Sequence, residues 1–175
     1  SSFRNKKSKI ESAYFLKFNK KRYITLETNF SNQYDAGGKD ALVDGLRGPN
    51  NYLTGRWQGF YGKDFESTVD LGSKELVTYL NIGAIQDVRS WIWLPKNVEF
   101  LASKDGKTFK SIGTLMHSVS DNSSESIIKQ FEIKLKTPVE ARYIKVRAEN
   151  YGKCPKWHLG NGGTSWLFFD EITIL

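Results

Sequence analysis

The segment WLFFDEITIL, residues 166 to 175, sets two carboxylates, Asp170 and Glu171, inside an otherwise hydrophobic run. Two carboxylates flanking one bond are the machinery of glycoside hydrolysis. The apolar residues here recur as in a strand, where neighbours point to opposite faces, so this pair is not expected to flank a common bond. Other catalytic combinations fare no better. Cys154 is the only cysteine, and His117 and His158 are the only histidines. That leaves no internal disulfide, no cysteine metal cluster and no histidine-rich zinc site. The sequence has no HExxH, GxSxG or P-loop motif, and the expectation is a non-catalytic chain.

An inward carboxylate suits a different role. Taking an unpaired carboxylate into a low-dielectric core costs several kcal/mol, so it must be paired or bind a cation. Calcium takes roughly 6–8 oxygen ligands, many of them carbonyls of a curled loop. The stretch KDALVDGLRGPNNYLTGRW supplies Asp44 before a glycine, then carbonyls, asparagines and Thr54. The alternative is that Asp44-Gly45 is only a turn, and that Asp170 or Glu171 bonds a backbone amide.

The elements that must position these groups read as strands. Apolar alternation marks YITLET, with Ile24 and Leu26 on one face, and NVEFLAS, with Val98, Phe100 and Ala102 inward. It also marks QFEIKL through Phe131, Ile133 and Leu135, and RYIKVRAE through Ile144, Val146 and Ala148. STVDLG is brief, LVTYLNIGAI is long and apolar, and KDGKTF supplies an Asp-Gly turn. The sum is seven or eight strands without a long helix, an all-β antiparallel sandwich or jelly roll. The longest connections are placed at 29 to 67, 86 to 97, 113 to 125 and 149 to 165, and loops of that length tend to carry function.

Charge is unevenly spread. The chain is +7, which first suggests nucleic acid or an acidic membrane. Residues 1 to 22 hold Arg4, Lys6, Lys7, Lys9, Lys17, Lys20, Lys21 and Arg22 against Glu11 alone, and the rest of the chain balances. Two parts follow: a basic N-terminal arm at 1–22, of the kind usually solvated as a linker, and a neutral body at 23–175. A partner of nucleic acid, or insertion into a membrane, is not expected. The opening SSFRNKKSKI has no apolar core of a signal peptide, as an excised domain would also lack.

The order of ALVDG, a tryptophan, VDLG, LPKNVEFLASKDGKTF, ARYIKVRAEN and WLFFDEITIL resembles the discoidin-like, coagulation factor 5/8 type C domains. Among these it is most similar to the family 32 carbohydrate-binding modules of bacterial glycosidases, from about Tyr23 to Leu175. YLTGRWQGFYGKDFESTVDLG with GKCPKWHLGNGGTSWLFFDEI looks closer still to the C-terminal modules of family 20 β-hexosaminidases. The resemblance implies an eight-stranded jelly roll and a structural Ca²⁺. By motif its ligands would be the side chains of Asp44 and Glu171 and the carbonyls of Ala41 and Asp170. The usual Ser or Thr two residues before the tryptophan is Gly55 here, with Thr54 beside it.

The resemblance also implies a sugar site on loops at one end of the sandwich, where an aromatic platform meets the apolar face of a sugar ring and polar groups fix its hydroxyls. Candidates are Trp57, Tyr61, Trp157 and His158, with Arg56, Arg89 and Asn161 as hydroxyl partners. Trp57 and Trp166 have an alternative place in the core, and of Trp91 and Trp93 in SWIWLP one is expected buried and one exposed. CPKWHLGNGG is the stronger candidate loop, its alternative being self-packing. The function implied is a monomeric, non-catalytic accessory module binding galactosyl or N-acetylhexosaminyl glycans beside a parent catalytic domain in the same polypeptide. Its setting would be extracellular, periplasmic or on the outer surface. The alternatives are a structural domain that packs on its parent without binding sugar, and a binder of anionic lipid, which the neutral body disfavours.

Overall fold

The computed structural model describes residues 21–175. Most of the basic arm lies outside the described residues. Arg22, counted with it, belongs to the body: its guanidinium donates to both carboxylate oxygens of Glu75 at 3.1 and 3.0 Å and to the Leu71 carbonyl at 3.1 Å.

Seven antiparallel strands are present among the described residues: β1 Tyr23–Leu26, β2 Gln58–Tyr61, β3 Phe65–Gln86, β4 Asn97–Ser103, β5 Lys110–Met116, β6 Ile127–Ala148 and β7 Trp166–Ile174. β3 and β6 are each 22 residues long, so the runs STVDLG and LVTYLNIGAI are one strand rather than two, as are QFEIKL and RYIKVRAE. Each folds over a corner and serves both layers. Register shifts in β3 between Asp70 and Glu75 and between Val77 and Tyr79 mark that corner, and Gly72 turns it with φ +81°. Arg142 closes it with two hydrogen bonds to Asp70 at 2.9 and 3.0 Å.

One layer joins β1, the first half of β3, the second half of β6, β4 and β5; the other joins β2, β7, the second half of β3 and the first half of β6. Their inner faces meet in one core. Phe65 of the first layer packs against Phe60 and Phe169 of the second, with ring centroids 4.8 and 4.7 Å apart. The expected inward residues Val98, Phe100, Ala102, Phe131, Ile144, Val146 and Ala148 are all buried there. The connection expected from 29 to 67 is shorter than that, because β2 and the start of β3 fall inside it, and the one expected from 113 begins inside β5. A second cluster of Trp57, Ile85, Ile92 and Phe168 lies where the loop of residues 30 to 57 covers the outer face of the second layer.

β7 departs from strict alternation. Leu167, Phe169, Ile172 and Ile174 all enter the same core, a spacing of two, three and two. β3 pairs Ile82 with Ile172 and Ala84 with Phe169, so Asp170 and Glu171 together oppose the single residue Gly83. This is a β-bulge. A Cβ on Gly83 would lie 2.2 Å from Asp170 Oδ1, so only glycine leaves room for the carboxylate.

Candidate functional site

The bulge corrects the expectation that Asp170 and Glu171 point to opposite faces. Both are buried, 1% and 2% exposed, and both face the loop at 44–48. Gly45 N–H donates to Glu171 Oε2 at 3.1 Å, and Gly48 N–H to Asp170 Oδ2 at 3.0 Å. Asp170 Oδ1 also accepts the Glu171 N–H at 2.6 Å and the Arg47 guanidinium at 3.1 Å. Arg47 further reaches the Glu171 carbonyl at 3.2 Å and Thr173 Oγ1 at 2.7 Å. Burial nonetheless pushes the Asp170 acid up, against the pull of Arg47. Arg47 went unread in the sequence; its one signal was a cation three residues beyond the aspartate of the loop that must meet a buried acid.

Glu171 is less fully paired. Its Oε1 is buried without a hydrogen-bond partner among the described residues. Burial, only partly offset by Gly45, with the neighbouring charge of Asp44 adding to it, pushes the acid up to about 9. Asp44 keeps access to solvent but is itself held up by partial desolvation, while Arg56 pulls it down. Asp44 raises Glu171, which carries an orphaned buried oxygen, and two such carboxylates form a donor set suited to a hard divalent cation. Among the described residues no three His, Cys, Asp or Glu side chains form a metal-holding group, so such an ion would rely on main-chain oxygens as well. Ala41 is buried in the 3-10 turn Ala41–Val43 that leads into Asp44. Thr54 is exposed, its hydroxyl committed to the Asn51 carbonyl at 3.0 Å.

Two of the aromatic candidates, Trp157 and His158, meet at the loop end. Residues 152–165 fold back as a small hairpin: Cys154 N–H donates to Gly163 O at 2.8 Å, Gly162 N–H to Cys154 O at 3.0 Å, and Ser165 N–H to Gly152 O at 3.0 Å. Its tip is two successive turns, His158 N–H to Pro155 O and Asn161 N–H to His158 O. The hairpin rests on Trp93, which is 1% exposed, donates its indole N–H to Asp121 O at 2.9 Å and stacks on Tyr151 at 5.1 Å. Trp91 is the exposed member of the pair, at 36%, and is held at φ +63° after the 3-10 turn Val88–Ser90. Gly160 and Gly163 close over its ring, where a Cβ would lie 2.4 and 2.5 Å from ring carbons.

A cleft of about 320 Å³ opens there, lined by Val88, Arg89, Trp91, Asn122, Ser124, Trp157, His158 and Leu159. Trp157 is half exposed and Leu159 wholly so. The Arg89 side chain is 71% exposed and forms a loose ion pair with Asp87, its Nε 3.8 Å from Asp87 Oδ1. His158 serves the loop itself: its Nδ1 accepts the Gly160 N–H at 3.0 Å, so its Nε2 is the nitrogen that donates to Val88 O at 2.7 Å.

Of the predicted sugar residues, then, Trp157, His158 and Arg89 come together, and Trp91, Asn122, Ser124 and Leu159 join them unpredicted. The SWIWLP alternation could have found Trp91; nothing in the sequence placed the 122–124 turn beside it. The remaining candidates line no part of this cleft. Tyr61 packs on Trp166 at 4.7 Å, Arg56 stands by Asp44, and Asn161 sits on the tip of the hairpin. Trp57 is core, 1% exposed, its indole N–H bound to Pro49 O at 2.9 Å.

The architecture is thus an antiparallel β-sandwich with its loops gathered over an aromatic cleft at one end. The F5/8 type C domain matches residues 24–168, and the chain belongs to that family. No curated protein matches. Among solved structures it is similar to a family 32 carbohydrate-binding module from a family 31 glycoside hydrolase of Clostridium perfringens, at 14% identity over 87% of this chain and 92% of that one, TM-score 0.53. The family 32 module of C. perfringens NanJ in complex with galactose matches at 14% identity over 87% and 92%, TM-score 0.54. A fucolectin from striped bass serum, Morone saxatilis, matches at 17% identity over 87% of this chain and 46% of that one, TM-score 0.57. At these identities the likeness is one of fold. The structural matches are to carbohydrate-binding domains.

Proposed function

We propose that this domain is a non-catalytic carbohydrate-binding module that takes galactosyl or N-acetylhexosaminyl sugars in the cleft at Trp91 and Trp157. The observation that carries the reading is the half-exposed Trp157, presented beside Trp91 and the exposed Arg89 on a hairpin braced from below by Trp93 and His158. An exposed indole offers a face to the C–H side of a pyranose, and Arg89, Asn122 and Ser124 offer hydroxyl partners. Likeness to the galactose-bound module supports the sugar class. A shallow site of this kind should bind weakly, with Kd on the order of 0.1–10 mM.

Within the same proposal, Asp44 and Glu171, with the Ala41 and Asp170 carbonyls, hold a structural Ca²⁺. The support is the orphaned Oε1 of Glu171 and the charge it shares with Asp44. The parent would be a secreted β-hexosaminidase, on the strength of the sequence resemblance, and the module would raise the effective concentration of that enzyme at glycans. Titration calorimetry and a glycan array test the reading. Saturable binding of a galactosyl or N-acetylhexosaminyl ligand at millimolar concentration, lost in Trp157→Ala, is expected; no binding to any of them sinks it.

Leu159, wholly exposed beside Trp157, favours one second reading: the cleft rim packs on the parent catalytic domain instead of on sugar. Association with that domain, weakened by Leu159→Ala, together with silence on the glycan array would select it.

A further inference from the structure

We propose a second saccharide-binding site on the outer face of the second layer, around Tyr79, remote in sequence from the loop cleft. It rests on the sugar-binding reading of the domain. The loop of residues 30 to 57 covers only one end of that face, over Trp57 and Phe168. Where the cover stops, a cleft of about 610 Å³ is left, walled by Arg47, Thr78, Tyr79, Glu132, Lys134 and Thr173, with Leu175 as its aliphatic edge. It is larger than the 320 Å³ cleft at Trp157.

The floor is polar where a sheet face turned to solvent needs no buried polar groups. Asn81 is 4% exposed and Thr173 1%, and they face each other across β3 and β7. Asn81 Nδ2 donates to the Tyr79 hydroxyl at 2.9 Å, which donates to Glu132 Oε2 at 2.8 Å. Asn81 Oδ1 is buried with no hydrogen-bond partner among the described residues, so this network is left open at one acceptor. Asn81 lies beneath the lining residues, so the groups of this network that can meet a ligand are the Tyr79 hydroxyl and Glu132.

The chemistry of the walls selects the ligand class. Tyr79 offers a partly exposed ring as a platform. Lys134, exposed and directly across from it in register, and Arg47, a third exposed at its side chain, supply donors. Glu132 supplies an acceptor, and the threonines supply both. Donors and acceptors set around one aromatic ring match the vicinal hydroxyls and C–H face of a pyranose. They do not match a purely anionic group, because Glu132 is present.

Two-dimensional amide NMR of this chain, titrated with lactose, N-acetylglucosamine and galacturonate, tests the site. Expected are saturable shifts at Asn81, Lys134 and Thr173, separate from those at the Trp157 indole. Tyr79→Ala and Lys134→Ala should each weaken the first set about tenfold and leave the Trp157 set unchanged. Lys134 is exposed, so that variant keeps the fold if Tyr79→Ala does not. Shifts confined to the loop cleft, or shifts at Asn81 and Thr173 that survive Lys134→Ala unchanged, overturn the second site. Shifts at the sheet face without any at Trp157 would instead remove the loop cleft from the functional reading and keep this one.

Discussion

The carboxylate clasp and the aromatic hairpin lie at the margins of the same sheet and are built by opposite means. In the clasp, the loop at 44–48 is tied to β7 by charge and hydrogen bonds: Gly45, Arg47 and Gly48 all donate to Asp170 or Glu171, which are buried. In the hairpin, Trp157, Trp91 and Leu159 are exposed, and the loop is held by turns, by Trp93 beneath it and by glycines that let it close on Trp91. Buried charge is costly unless paired, so the bonds gathered on Asp170 fix one geometry and serve stability. Exposed aromatic surface costs little conformational entropy to hold and remains free for a ligand, so it serves recognition.

The largest expected effect tests the clasp. Asp170→Ala strips the acceptor from Gly48, Glu171 and Arg47 at once, and should cost about 3 kcal/mol in urea unfolding. If the variant is as stable as the parent, the clasp is not a structural device. Metal removal comes next. The folded acid of Glu171 is raised from 4.5 to about 9, so between those values the folded chain binds more protons than the unfolded one. Without an ion, the stability contributed by Glu171 is therefore present in full at low pH and falls as pH climbs through that window. Calcium at 100 times its Kd would add about 2.7 kcal/mol. It binds the ionised form, so the gain in Tm should grow with pH and vanish on chelation. A Tm indifferent to calcium and chelator at pH 8 removes the ion from this site. Glu171→Gln should abolish the calcium response and remove the part of the chelated protein's fall with pH that Glu171 supplies, leaving the pH dependence due to other groups, Asp170 and His117 among them.

The clasp was legible in part and the hairpin in part, for different reasons. Alternation located most of the strands, because one face of each enters a core and the period is unambiguous. It failed at Asp170 and Glu171, where the bulge opposite Gly83 inserts one extra residue. Its one mark on the strand itself is the step of three from Phe169 to Ile172, hidden by the unbroken apolar run of residues 166 to 169, and only the pairing around Gly83 shows it for a bulge. The corners in β3 and β6 were read as breaks for a similar reason: Gly72 looks like a turn, and only its pairing partners show that the strand continues. At the hairpin, the glycine-rich stretch around Trp157 stood out because it had no period to obey. Its neighbours at Asn122 and Ser124 come from far along the chain and carry no spacing that links them to it.

Trp157→Ala should separate the two regions most cleanly. Half of the side chain is already exposed, so unfolding free energy should change by less than about 1 kcal/mol, while glycan affinity drops at least about tenfold in calorimetry. A variant that loses stability and keeps affinity would reverse the roles assigned to clasp and hairpin.

The smallest effect is the most specific. His158→Phe keeps a ring against Trp93, whose centroid lies 5.0 Å from that of the imidazole, but deletes the bonds to Val88 O and Gly160 N–H. A residue that only positions the loop should then cost about threefold in glycan affinity, with Tm nearly unchanged, because the lost bonds sit near solvent. Rescue should be partial in His158→Gln, whose amide can again donate to Val88 O. A loss as large as that of Trp157→Ala, unrelieved by glutamine, would mean that the imidazole itself touches the sugar.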